Sequence, residues 1–342
     1  MLEIRGVDHD TAMAQTFRGP LSAELRARDP HKTGDPAWVA YNEQFYQRRV
    51  ALPLVGAGLY PLTGDRSLLY LSLAGYVAAV LALFGFLLLR FRVWLAAGVA
   101  AAAALLPPLV NHSSYPLTDS WGLALEIVAF GAALLTLKRG LRWLPLWIVT
   151  LGILGFTRDS AFVPVLAAGW LALRERKRIP VALFLGGLAA VLPASLLFAS
   201  PVREVMALAV NHSEPSSDTS WWFIARHYPG SLIDLLRANV GFLRRGEWYT
   251  ALFFGGGVAS LFVFWRRRRT VSIRLLVAGV ILGLAYVLSV PVFSAFRLEL
   301  VFVPMAAYGL ALAGEYALAR LAERPAVADR FAVRVPARVR RP

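Results

Sequence analysis

The sequence predicts an all-α fold: a polytopic transmembrane helix bundle of about nine spans, with outward interfacial helices. Three observations predict it. Of 342 residues, 58% are hydrophobic, and the mean hydropathy is +0.57. Several apolar runs reach the roughly 20 residues that a helix needs to cross the hydrocarbon core. Basic residues gather in alternate connections between those runs, as they do in cytoplasmic loops.

The spans are predicted near 67–89, 93–110, 120–137, 142–157, 159–173, 179–199, 248–265, 273–293 and 298–319. The segments 142–157 and 159–173 are short and joined by the tight turn "FTRDSAF", so they read as a candidate hairpin. Alternate loops carry Arg90/Arg92, Lys138/Arg139/Arg142, Arg174/Arg176/Lys177/Arg178, Arg266 to Arg269, and the tail "RVPARVRRP". The connections between them are poor in Lys and Arg for their length. The basic loops are therefore expected in the cytoplasm, with 1–66, 111–119, 156–160, 200–247 and 294–298 facing outward.

Three parts follow: an outward N-terminal segment (1–66) with an interfacial helix, a transmembrane domain (67–319) that includes the outward loop 200–247, and a basic cytoplasmic tail (320–342). In the first part, "VALPLVGAGLYPL" (50–62) is apolar but too short to span. In loop 200–247, Leu232, Ile233, Leu235, Leu236, Val240 and Leu243 share one helical face, which predicts a helix along the outer surface. Trp221, Trp222, Tyr228, Trp248 and Tyr249 are expected interfacial anchors. The tail reads as a disordered strand attracted to anionic lipids. The echo of "VNHSS" (110–114) in "VNHSE" (210–214) does not extend into the flanks and reads as chance. No secretory signal precedes the polar segment 1–66. An outward N-terminus with nothing to carry it across predicts a further helix upstream of Met1 in the natural gene.

The formal charge is +15, from 36 basic and 21 acidic residues. Its placement in loops fits membrane topology rather than nucleic-acid binding. There are no cysteines, which excludes disulfides, thiolate metal sites and cysteine nucleophiles.

Ionisable groups are expensive inside a membrane, so their placement is informative. Here they crowd the expected outward ends: Asp119 and Glu126 at the third span, Arg158 and Asp159 in the "TRDS" turn, and Arg297 and Glu299 at the ninth. Asp8, Asp10 and the Gln44–Arg49 stretch join them from the N-terminal segment. Ion-coupled transporters place carboxylates or broken helices near the midplane. An enzyme on a lipid-linked substrate needs its chemistry at head-group level, and the charges here sit there.

That pattern resembles the GT-C superfamily, the polytopic glycosyltransferases that use polyprenol-phosphate sugars. The resemblance covers residues 1–320 and rests on architecture plus loose motifs. "GVDHD" (6–10) stands where the family has an acidic motif in its first outward loop. "FYQRRVALPLVGAGLY" (45–60) looks like the aromatic–Arg entry to an interfacial segment. "YPLTDSWGLALE" (115–126) looks like a Pro/Asp helix start, and "GFTRDSAFVPVLA" (155–167) is similar to the family's outward turn with a basic–acidic pair. The departure is the missing first helix.

The resemblance implies attack of an acceptor hydroxyl on the anomeric carbon, with inversion. Asp8 or Asp10 would be the general base. Positive charge or a divalent cation, Mg or Mn, would stabilise the departing phosphate. Arg49, His112, Arg158 and Arg297 are the phosphate-side candidates. Asp119, Glu126 and Asp159 are candidate site walls, and Trp221 or Trp222 a sugar platform. Implied partners are a polyprenol-phosphate sugar, a lipid or glycan acceptor and membrane lipids, with no nucleic acid.

Each residue has a plainer reading. Asp8 and Asp10 are a solvated pair. Asp119 caps the helix after Thr118. Arg158 and Asp159 pair within their turn. Arg297 snorkels, and His112 and the tryptophans sit at the interface. Glu126 resists such a reading, because an acid one to two turns into a span must face the bundle interior. The competing functions are a lipid-linked glycan polymerase or ligase, a transporter or flippase, and a non-catalytic membrane subunit.

Overall fold

The computed structural model describes residues 6, 8, 11, 49–113, 118–198, 202–211, 216–247, 249–265, 270–291 and 297–322. Among the described residues every regular element is helical. They are α1 (Ala51–Thr63), α2 (Ser67–Leu88), α3 (Val93–Ala104), α4 (Pro107–Ser113), α5 (Asp119–Arg139), α6 (Leu144–Gly155), α7 (Phe162–Glu175), α8 (Arg178–Leu197), α9 (Val202–Val210), α10 (Trp221–Arg244), α11 (Tyr249–Trp265), α12 (Val271–Ser289) and α13 (Val303–Ala322).

Five helical stretches are long and apolar enough to cross a membrane: Ala51–Leu88, Asp119–Arg139, Arg178–Leu197, Val271–Ser289 and Glu299–Arg320. Three shorter apolar helices join them: Val93–Ala104, Leu141–Gly155 and Gly255–Trp265. The chain is a membrane protein of all-helical architecture. The first stretch is not one rod. Gly64 adopts φ 58°, a left-handed conformation open to glycine, and a 3-10 turn over Gly64–Arg66 separates α1 from α2. The 22 residues of α2 extend about 33 Å, enough to cross alone, whereas α1 falls short.

Side-chain links show how the helices alternate. Lys138 at the end of α5 donates to the Leu89 carbonyl past the end of α2. Arg90 pairs with Glu315 of α13 at 3.0 Å, and Arg274 of α12 pairs with Glu175 at the end of α7. These contacts define one end of the bundle, rich in arginine and lysine. The opposite end holds the start of α5, the α6–α7 turn and the start of the last helical stretch. There the Ala51 amide donates to the Phe156 carbonyl at 3.3 Å, which brings the start of α1 to the same end.

The core runs between the ends. Trp147 of α6 is fully buried and donates from Nε1 to the Leu183 carbonyl of α8 at 2.8 Å. The helices approach closely there because Gly187 offers no side chain: a Cβ on it would lie 3.0 Å from that indole nitrogen. Small residues at helix crossings are the usual device where lipid removes the hydrophobic drive for association. A second knot of packing joins distant segments. The Tyr308 ring of α13 meets Phe86 at 5.6 Å, Phe91 at 5.0 Å and Phe264 at 6.1 Å, all at tilted or edge-on angles that suit ring quadrupoles. The perimeter is apolar: Leu81, Val149, Leu173, Leu185 and Phe262 are exposed, as lipid-facing residues are.

The described residues of loop 200–247 are largely helical. The loop holds α9 and α10, and Ile224 of α10 packs on Ala207 and Val210 of α9. Ser220 caps α10 by accepting from the Phe223 amide at 3.2 Å. The Tyr228 hydroxyl donates to the Leu288 carbonyl of α12 at 2.5 Å. This contact fixes α10 at the end of the bundle opposite Arg274.

Candidate functional site

Six segments converge at that end. Asp119 opens α5 and is fully buried. Its Oδ1 lies 3.3 Å from a terminal nitrogen of Arg158, and its Oδ2 accepts from Arg297 Nε at 3.0 Å. Arg158 also donates to the Arg297 backbone carbonyl at 2.6 Å. One carboxylate thus holds two guanidinium groups, from the α6–α7 turn and from the segment before α13.

The capping role expected of Asp119 is corrected by this arrangement. Asp119 is the first residue of α5 and Thr118 its N-cap, with no cap bond from the Thr118 side chain, and the Asp119 oxygens face the two arginines. A buried guanidinium requires a counter-charge more than a helix start, which has other donors' partners to choose from, requires a cap. The ion pair of Arg158 is with Asp119, and Asp159, expected as its turn partner, acts on it electrostatically as well. Arg297 does not simply snorkel, because its Nε is held by Asp119. Its side chain remains 25% exposed while that of Arg158 is 5% exposed, so Arg297 is the guanidinium that is both held and accessible.

Gly122 makes room for this pairing. It lies one turn after Asp119 on α5, and a Cβ built on it would run into the Cδ and Cγ of Arg158. The aliphatic stem of Arg158 therefore lies across the bare backbone of α5. One further turn along the same face sits Glu126, fully buried as expected of an acid in an apolar helix. The Ser160 hydroxyl lies 3.5 Å from its Oε2, and its Oε1 has no hydrogen-bond partner among the described residues. Asp119, Gly122 and Glu126 form a row in which Arg158 has a carboxylate on each side.

Arg49, just before α1, completes the cluster with its Nε buried. Burial, and next the Arg297 guanidinium, push the Arg49 guanidinium below its ordinary value, while Asp159 opposes the shift. For Arg158, burial alone acts downward, but Asp119, and after it Tyr286, Glu126 and Asp159, outweigh it and hold the group above its ordinary value. The Tyr286 hydroxyl of α12 lies within electrostatic reach of Arg158, Asp159, Arg49 and Glu126. Glu299 is buried in the 3-10 turn Glu299–Phe302.

Asp8 is exposed, and its Oδ1 accepts from the Thr11 amide at 2.9 Å, a turn-capping contact. Asp10 and the side chain of His112 lie outside the described residues, as do Gln44 to Gln47, Arg48, Trp248, Arg266 to Arg269 and the tail from 323. Trp221 and Trp222 open α10 and are 56% and 76% exposed. Gly122, Ser160 and Tyr286 were not anticipated. A glycine three residues from an aspartate on a predicted span was the available signal for Gly122.

Among the described residues, no group of three or more His, Asp or Glu side chains is placed to hold a metal ion. In the Asp119 cluster both carboxylate oxygens face guanidinium groups. Comparison with protein-family models, curated proteins and solved structures gives no match.

Proposed function

We propose that this chain is a glycosyltransferase of the GT-C kind, acting on a polyprenol-phosphate sugar at the outer face of a bacterial cytoplasmic membrane. The proposal includes nine spans (α2, α3, α5, α6, α7, α8, α11, α12 and α13) with the arginine- and lysine-rich end in the cytoplasm. The observation that carries it is the Asp119–Arg158–Arg297 cluster, set at the end of the bundle rather than at mid-helix, with Asp119 and Arg158 buried and Arg297 partly exposed. A guanidinium held by its Nε still presents two terminal nitrogens, the geometry suited to a phosphate. Arg297 is so held, with Arg158 and Arg49 beside it. An apolar groove of about 320 Å³ between α3, α11 and α13 adds support. Its lining includes Phe302, in the same turn as Glu299, and its chemistry suits an isoprenoid tail.

In this reading the acceptor oxygen bonds to the anomeric carbon as the bond to the phosphate oxygen breaks. The acceptor proton passes to a carboxylate, Asp8 or Asp10 by the resemblance. The negative charge gathering on the lipid phosphate is met by Arg297, with Arg158 and Arg49 raising the local potential. Asp119 fixes where Arg158 and Arg297 point.

The test is transfer by the purified chain in liposomes, supplied with a panel of radiolabelled polyprenol-phosphate sugars. Transfer by wild type, strongly reduced in Arg297→Gln, is expected. The proposal fails if no donor supports transfer, or if Arg297→Gln, Asp8→Asn and Asp10→Asn all retain full activity. The half-satisfied acid Glu126 favours one second reading, proton-coupled transport. That reading predicts substrate-driven proton flux into proteoliposomes, abolished in Glu126→Gln.

A further inference from the structure

We infer that α10 docks its exposed face on an anionic phospholipid leaflet, with three arginines in one row meeting the head-group phosphates. The helix is held to the protein by one face only. Ile224, Ser231, Leu235 and Asn239 are its buried residues. Ser231 donates to the Val210 carbonyl at 3.1 Å, and Tyr228 reaches Leu288. At ~100° per residue these positions lie together on one side of the helix.

Another face carries Trp222, Ile233, Leu236, Val240 and Leu243, and all five are exposed. Their spacing of three, four and three residues from Ile233 onward keeps them in one stripe. Beside the stripe run Arg226, Arg237 and Arg244, exposed and separated by eleven and seven residues. Three and two turns of helix bring them within about 20° of one another. Of the acids nearby, Asp234 contacts Arg237 at 3.2 Å and lies beyond the arginine row from the stripe. Glu247 takes Arg245, whose guanidinium also stacks on Phe242 at 4.3 Å. The row itself stays net positive along the whole stripe.

An apolar stripe edged by guanidinium groups is the pattern of a helix seated at the acyl–head-group boundary, with charge selecting anionic lipid. The place in the fold agrees. Tyr228 ties α10 to the end of α12, where a membrane-length helix stops, so the stripe lies at a bundle end rather than against its middle. Binding here is independent of any transferase activity.

The absence of cysteine from the chain makes the test direct. Single variants Ile233→Cys, Leu236→Cys and Leu243→Cys carry an environment-sensitive fluorophore on the stripe, and Asp234→Cys carries it on the far flank. The full chain is placed in nanodiscs of phosphatidylcholine alone, or mixed in equal parts with phosphatidylglycerol. Stripe probes should shift to the blue and be quenched by nitroxide-bearing lipid, at least twofold more with phosphatidylglycerol. The probe at 234 should be quenched by aqueous iodide instead. Arg226→Gln, Arg237→Gln and Arg244→Gln together should remove the phosphatidylglycerol difference, and the three corresponding Lys substitutions should restore it. Iodide quenching of the stripe overturns the inference. So does protection from both quenchers, which would mean that the chain itself or a second copy covers the stripe. Equal lipid quenching in both mixtures overturns the anionic preference.

Discussion

Arg297 Nε lies 3.0 Å from Asp119 Oδ2 across 178 residues of sequence, and the other oxygen of the same carboxylate faces Arg158. Asp119 is thus the shared counter-charge for two cations, and its removal takes the paired carboxylate from both and leaves Arg158 with Glu126 and Asp159 alone. Taking one partner from a buried pair costs roughly 3–5 kcal/mol, and the partial exposure of Arg297 brings the expected loss for Asp119→Asn to about 3 kcal/mol. The measurement is unfolding in detergent micelles titrated with SDS. Pairing Asp119→Asn with Arg158→Gln should recover at least ~1 kcal/mol of the summed single losses, the signature of direct coupling. Strict additivity would contradict it.

Gly122→Ala separates the site from general helix stability. In a helix interior Ala is normally better than Gly by about 0.5–1 kcal/mol. At Gly122 the new methyl collides with the Arg158 stem, so a net loss of about 1–3 kcal/mol is expected, with displacement of the guanidinium. Gly131 on the same helix is the control: a Cβ there meets Phe86 at 3.6 Å, an ordinary contact. Gly131→Ala should be neutral or stabilising in the same SDS titration. Equal behaviour of the two variants would show that Arg158 does not depend on the gap at Gly122.

Glu126→Gln tests how far the buried acid contributes to the fold. The amide is nearly isosteric and keeps an oxygen for the Ser160 hydroxyl, while removing a carboxylate with an unpartnered Oε1. The change in stability should stay within about 1 kcal/mol, whereas Glu126→Ala opens a cavity and loses about 2–3 kcal/mol. A loss in Glu126→Gln as large as in Glu126→Ala would show that the Glu126 charge itself holds Arg158.

The helices were legible because membrane insertion writes its requirement as long apolar runs, and those runs need no knowledge of partners. Glu126 was legible for a related reason: an acid eight residues into such a run has nowhere to go but inward. Asp119 was misread because a local pattern, Thr-Asp before an apolar helix, is visible in sequence, whereas a partner 178 residues away is not. The local role loses to the tertiary one because two buried guanidinium groups need that charge. Gly122 was passed over because a glycine within a span has many uses, and only the path of Arg158 singles one out. The partition of α10 into a held face and an exposed stripe was only half visible. Leu232, Ile233, Leu235 and Leu236 cover both faces, and only the packed fold decides that Leu235 is buried and Ile233 is not.

Trp147→Ala should be among the most destabilising single changes in the bundle. The side chain is fully buried between α6 and α8, and its removal leaves a cavity and takes the indole donor from the Leu183 carbonyl. The expected loss is about 3–5 kcal/mol. Trp147→Phe keeps most of the volume and loses the indole donor, for about 1–2 kcal/mol. A loss in Trp147→Phe equal to that in Trp147→Ala would put the energy in the hydrogen bond rather than the packing.

Tyr228→Phe isolates the tether between α10 and the bundle. It deletes one hydroxyl, whose partner is the Leu288 carbonyl near the end of α12, and leaves the ring against the α9–α10 cluster. Near a helix end that carbonyl lacks an intrahelical donor to replace the phenol. The global loss should be small, about 1 kcal/mol. The local effect should be larger, because Ser231 to Val210 is the other side-chain link seen on this face, and it leads to α9 rather than to the bundle. Amide hydrogen exchange should therefore quicken across α10 and at the end of α12, while α5 and α13 keep their protection. Uniform exchange throughout the chain, or no change in α10, would mean that packing rather than this bond holds the helix in place.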